Sequence, residues 1–136
     1  MEIRGARIAG LGAYVPDKVL TNEDLTRIVE TSDQWIVERT GIRERHLAAP
    51  GQATSDLARR AAERALASAG ITARDLTHIV VATLTPDAYC PSAASKLQHL
   101  LGCRNIMAMD VNAACSGFLY GLQTARALAT LQPGST

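Results

Sequence analysis

The run His78-Ile79-Val80-Val81-Ala82-Thr83-Leu84 constrains the fold more than any other stretch of this chain. It is apolar and β-branched without polar alternation, the pattern of a parallel strand covered on both faces. The sequence around it supplies the covering layers. Upstream, Ser55 is a candidate cap for a helix in which Leu57, Ala58, Ala61, Ala62, Ala65, Leu66 and Ala69 share one face. Arg59, Arg60, Glu63 and Arg64 lie opposite, and Gly70 is the stop signal. Downstream, a helix is expected from Ser92 to Leu101, then a strand from Ile106 to Val111. A further helix is expected from about Cys115, with Leu119, Leu122, Ala125 and Leu128 at helical spacing. The alternation of strand and helix predicts an α/β fold, a mostly parallel sheet with covering helices joined by right-handed crossovers.

The remaining segments are shorter. Arg7-Ile8-Ala9-Gly10-Leu11-Gly12-Ala13-Tyr14 reads as a strand, closed by Val15-Pro16-Asp17-Lys18 because proline does not continue a central strand. Thr21-Asn22-Glu23-Asp24-Leu25 offers a cap with acids in the first turn, so a short helix should start near Asn22. Pro133-Gly134-Ser135-Thr136 reads as a turn leading onward. No repeat, low-complexity segment or linker divides the chain.

Composition removes several classes of function. Fourteen basic residues against thirteen acidic ones leave a formal charge of +1, and the arginines are scattered, so no footprint for nucleic acid exists. No apolar run approaches the ~20 residues of a membrane span, and Met1-Glu2-Ile3-Arg4-Gly5 lacks the basic-then-apolar layout of a signal peptide. A cytoplasmic protein with no membrane partner is expected. The three cysteines, Cys90, Cys103 and Cys115, form an odd set without a C-x-x-C pair. They read as separate reduced thiols, neither a disulfide framework nor a zinc site, and no metal is expected.

Among them Cys115 stands apart. In Asp110-Val111-Asn112-Ala113-Ala114-Cys115-Ser116-Gly117-Phe118 a hydrophobic strand delivers a thiol to the start of an alanine-rich helix. Backbone N–H groups and the positive end of a helix favour a thiolate there and can hold an oxyanion. Small neighbours leave room for a substrate to approach. Unpaired cysteine is also among the most buried residue types, so a structural thiol is the competing reading. Trp35, the only tryptophan, follows the polar Thr31-Ser32-Asp33-Gln34 and either exposes an indole or covers the edge of the core.

Four stretches carry a resemblance that runs along almost the whole chain: Thr31 to Ile36, Arg39-Thr40-Gly41-Ile42-Arg43-Glu44-Arg45-His46, Pro91-Ser92-Ala93-Ala94, and Asp110 to Phe118. Together they resemble the amino-terminal half of a β-ketoacyl-acyl-carrier-protein synthase III. The resemblance implies a thiolase-like α/β fold in which residues 1–136 are one amino-terminal half-domain, incomplete without a second half. It implies that Cys115 takes an acyl group from acyl-coenzyme A. Malonyl-acyl carrier protein is then decarboxylated and condensed with the acyl-cysteine, releasing carbon dioxide and a β-ketoacyl product. Trp35 would stack on the adenine of coenzyme A, with Thr31 and Arg39 contributing to the nucleotide site. Cys90 would sit where the family lines the acyl pocket of a partner subunit, and its small size leaves room for primers longer than acetyl.

Acyl-coenzyme A is then a substrate and not a permanent cofactor, and a full-length version is a homodimer that starts fatty-acid synthesis. The family draws a catalytic histidine and asparagine from its second half, and none of His46, His78 and His99 matches that histidine. The chain alone is therefore not expected to complete the cycle. Relatives of the same fold in secondary metabolism, a non-catalytic piece or partner subunit, and a cysteine hydrolase are the alternative readings.

Overall fold

A computed structural model of the chain describes residues 5–131. They form two compact units, one being Val15–Gln52 and the other the residues on either side of it. In the first unit β1 (Lys18–Thr21) leads directly into α1 (Asn22–Thr26), followed by α2 (Asp33–Thr40) and β2 (Glu44–Leu47). The two strands pair antiparallel, with Lys18 opposite Leu47 and Thr21 opposite Glu44. The helix start near Asn22 is as expected. Thr21 Oγ1 accepts from the Asp24 N–H at 3.1 Å, and Asp24 Oδ2 accepts from the Thr21 N–H at 3.1 Å, a reciprocal cap. Ser32 caps α2 through the Trp35 N–H at 3.1 Å, and Gly41, at a φ of 71°, ends it in the left-handed turn that glycine adopts without cost.

The second unit holds α3 (Thr54–Ala69), β3 (His78–Ala82), α4 (Ala93–Leu100), β4 (Met107–Val111) and α5 (Gly117–Leu131). β3 and β4 run parallel, from His78 beside Met107 to Ala82 beside Val111, with α4 as the crossover between them. The lack of alternation in β3 now has a cause. Ile79 joins Ala94, Leu97 and Cys103 in the buried cluster, with Val81 packed against it, while Val80 and Ala82 meet α5. Both faces carry a helix. The apolar face expected for α3 is half-buried from Leu57 to Ala69, its arginines are exposed, and Gly70 terminates it at a φ of 69°.

Two local expectations are corrected. Residues 7–14 hold no strand: the segment lies along α3, with the Leu11 N–H donating to Ser68 Oγ at 3.4 Å and Arg64 donating to the Ala13 carbonyl at 2.5 Å. Gly10 and Gly12 permit this approach, since a Cβ on Gly10 would fall 2.7 Å from the Ala69 nitrogen and one on Gly12 would run into the Ala61 carbonyl. Ser55 does not cap α3. Ala53 takes that position, its N–H bonded to Asp56 Oδ2 at 2.9 Å, while Ser55 is buried and bonded to Asp87. In α5 the buried positions are Gly117 and Gly121, which sit on Ala82 and Val80, so Leu119 and Leu122 are turned outward and exposed. The turn expected over Pro133–Thr136 lies outside the described residues. Among those described, no helix is long and apolar enough to cross a membrane.

Candidate functional site

Cys115 lies at the carboxyl end of β4, as the strand-to-helix pattern requires, in a single 3-10 turn over Ala114–Ser116 that runs into α5. The backbone geometry of that turn is unusual. Ala114 has a φ of 46°, the left-handed region that costs a non-glycine residue about 1–2 kcal/mol. The Ser116 N–H then closes the turn on the Ala113 carbonyl at 3.0 Å. The strained step leads into α5, and Cys115 is exposed. Below it, the parallel pairing continues as the Thr83 N–H donates to the Val111 carbonyl at 3.1 Å. Gly117 meets only Ala82, at 3.7 Å for an added Cβ, so α5 starts directly against the sheet.

One carboxylate ties this junction to the next loop. Asp110, the penultimate residue of β4, accepts from the Ala93 N–H at 2.9 Å and the Ala94 N–H at 2.8 Å. These are free donors of the first turn of α4, where negative charge is favoured. The sequence had shown Asp110 only as part of a motif. An acid at the end of an apolar strand is a signal that could have singled it out, although its helix partner is visible only in space. Cys90 is exposed in the loop that α4 closes, beside a fully exposed Tyr89, and the Cys90–Pro91 peptide is cis. Asp110 therefore connects the strand leading to Cys115 with the start of α4, the helix that follows the loop carrying Cys90.

A second carboxylate organises the same loop. Asp87 accepts from the Ser55 hydroxyl at 2.5 Å and the Ser55 N–H at 2.9 Å, and lies 3.6 Å from Lys96 Nζ. Burial pushes the Asp87 carboxyl up, but the Ser55 hydrogen bonds and the Lys96 charge together outweigh it and hold the group below the usual carboxylate range. Cys103 behaves oppositely: it is buried, its Sγ donates to the Ala73 carbonyl at 3.3 Å, and burial pushes its thiol up. Cys103 is the structural thiol of the three.

In the other unit, Thr31 and Trp35 share a recess of about 260 Å³ with Glu30 and Ser32. Trp35 is 57% exposed, so the indole presents a face to solvent instead of covering the core. Arg39 lies one turn further along the same side of α2 and is exposed, but does not line the recess. The histidines have local roles. His46 Nδ1 meets the Pro16 carbonyl at 2.6 Å, His78 Nδ1 meets Thr77 Oγ1 at 2.9 Å, and His99 is in the last turn of α4. Among the described residues no cluster of three or more histidine, cysteine or carboxylate side chains is suited to a metal.

No family model matches the chain. A β-ketoacyl-[acyl-carrier-protein] synthase III of Nitratidesulfovibrio vulgaris is 54% identical over 128 residues, 94% of this chain and 39% of the relative. The crystal structure of 3-oxoacyl-[acyl-carrier-protein] synthase III from Aquifex aeolicus superposes with a TM-score of 0.87 at 44% identity, covering 91% of this chain and 40% of that one. The priming β-ketosynthase of the R1128 polyketide pathway superposes with a TM-score of 0.91 at 32% identity, over 98% of this chain and 40% of its own. The chain thus spans about two fifths of the length of the relatives it matches. Over that span its architecture is that of a partial thiolase-like α/β fold.

Proposed function

We propose that this chain, which resembles β-ketoacyl-acyl-carrier-protein synthase III along nearly its whole length, carries the nucleophile and nucleotide-binding portion of such a condensing enzyme. The observation that carries the reading is the exposed Cys115 at the carboxyl end of β4, presented by the left-handed Ala114 immediately before α5. Its sulfur attacks the thioester carbonyl of acyl-coenzyme A. A new carbon–sulfur bond forms to Cys115, the bond to coenzyme A breaks, and the thiol proton ends on the departing coenzyme A sulfur. Trp35 and Thr31 hold the adenine end, with Arg39 meeting phosphate. Malonyl-acyl carrier protein then loses carbon dioxide, and the carbon nucleophile so formed attacks the acyl-cysteine: a carbon–carbon bond forms, the carbon–sulfur bond to Cys115 breaks, and the Cys115 thiolate is returned. The histidine and asparagine of that step are not assigned to any residue of this chain, and a homodimer is the expected assembly.

Fatty-acid initiation is preferred to a polyketide-priming role because the synthase III relative is 54% identical, against 32% for the polyketide ketosynthase. Cys90 lines the acyl pocket in this reading. Cys90→Phe should narrow the primer profile toward acetyl-coenzyme A, and an unchanged profile would remove Cys90 from the pocket. The reading as a whole is tested by following release of free coenzyme A from acetyl-coenzyme A. One equivalent per chain, absent in Cys115→Ser, is the expected result; equal release by the variant would refute it.

A further inference from the structure

The most buried polar side chain among the described residues is Asn22, 2% exposed, and both ends of its amide are engaged. Nδ2 donates to Asp33 Oδ1 at 2.7 Å and to the Ile42 carbonyl at 2.8 Å, while Oδ1 accepts from the Arg45 guanidinium. Asp33 is the first residue of α2 and Ile42 follows the glycine that ends it, so one amide grips both ends of the helix bearing Trp35 and Arg39. Arg45 anchors the same amide to β2. A helix of eight residues does not hold itself in water, and α2 offers only Ile36 as a buried apolar anchor. Its orientation therefore depends on this polar joint.

We propose that Asn22 is a positioning residue for the nucleotide recess: it fixes α2 so that the indole of Trp35 and the hydroxyl of Thr31 face one ligand. This rests on the reading of the Trp35 recess as the coenzyme A site. The bonding is directional. An aspartate at position 22 would lose both donors and set a second carboxylate against Asp33, whereas an added exchange of Asp33 for asparagine would restore a donor and acceptor between the two positions. Asp33 itself is exposed, so Asp33→Ala removes the tie to α2 without opening the buried side of the joint.

Because Trp35 is the only tryptophan, its emission reports on the recess alone. Coenzyme A is titrated against the wild-type chain, Asn22→Asp, Asp33→Ala and the Asn22→Asp, Asp33→Asn pair, each held well below its thermal midpoint. The wild type should give a saturable emission change. Asp33→Ala should weaken affinity about fivefold and Asn22→Asp about tenfold or more, with the pair regaining part of the loss. Should Asn22→Asp not fold, Asp33→Ala decides. A wild type that responds while the folded variants bind with its affinity overturns the role of Asn22. A wild type whose emission ignores coenzyme A overturns the nucleotide reading on which that role rests.

Discussion

Removing the Asp110 carboxylate should destabilise the chain more than any other single polar change near Cys115. Asp110 makes two hydrogen bonds of 2.9 and 2.8 Å to the Ala93 and Ala94 N–H groups, and both alanines are fully buried. Hydrogen bonds to a charged acceptor contribute about 1.5–3 kcal/mol each, and an orphaned buried N–H costs about 1–3 kcal/mol. The two bonds share one carboxylate and are not additive. Asp110→Ala is therefore expected to cost about 4 kcal/mol and Asp110→Asn about 3 kcal/mol, since the asparagine keeps one acceptor and turns an NH2 toward the other donor. Against a typical domain stability of about 5–15 kcal/mol these are large but survivable losses. Urea unfolding at pH 7, followed by far-ultraviolet circular dichroism and extrapolated linearly, reads them directly. A loss below about 1 kcal/mol for Asp110→Ala would refute the reasoning, because water would then be satisfying both amides equally well.

Further expectations rest on other contacts. Asp87 is held ionised in the fold, so its contribution to stability is complete above the ordinary carboxylate value of about 4 and is lost as pH falls through its own lowered value. Asp87→Asn should be less stable than wild type at pH 6, with the gap closing in acid; a gap that persists unchanged at pH 2 contradicts the assignment. Iodoacetamide should modify Cys90 and Cys115 promptly in the native chain and Cys103 only on unfolding, as mass mapping would show; equal rates for all three would mean that the core around Ile79 is open. Gly12→Ala should cost about 2–3 kcal/mol in the same urea assay, since its Cβ would run into the Ala61 carbonyl, a backbone atom of α3. Gly117→Ala, whose Cβ would meet Ala82 at an ordinary 3.7 Å, should be neutral or mildly stabilising.

The second unit was legible where burial and periodicity speak for themselves. β3 announced itself by its unbroken apolar run, and α3 by a seven-residue face that is half-buried as expected and by Gly70 at its end. The errors arose where packing overrode local pattern. Residues 7–14 have strand composition but no strand partner among the described residues, and their glycines serve close approach to α3 instead. The helix of α5 was legible in its spacing, but its buried side was not: Gly117 and Gly121 lie on Val80 and Ala82 while Leu119 and Leu122 are exposed. Cys115, Trp35 and Thr31 could be picked out from their neighbours and from family resemblance. Asn22, Asp87 and Asp110 could not be given roles, since each acts on a partner 11 to 32 residues away in sequence.

The most direct test of the account is the intact mass of the purified chain after incubation with acetyl- and longer acyl-coenzyme A, followed by peptide mapping of any adduct. The account predicts one acyl group per chain, attached to Cys115 and absent in Cys115→Ser. An adduct confined to Cys90, or none on a folded chain that binds coenzyme A, would contradict the assignment of Cys115 as the nucleophile.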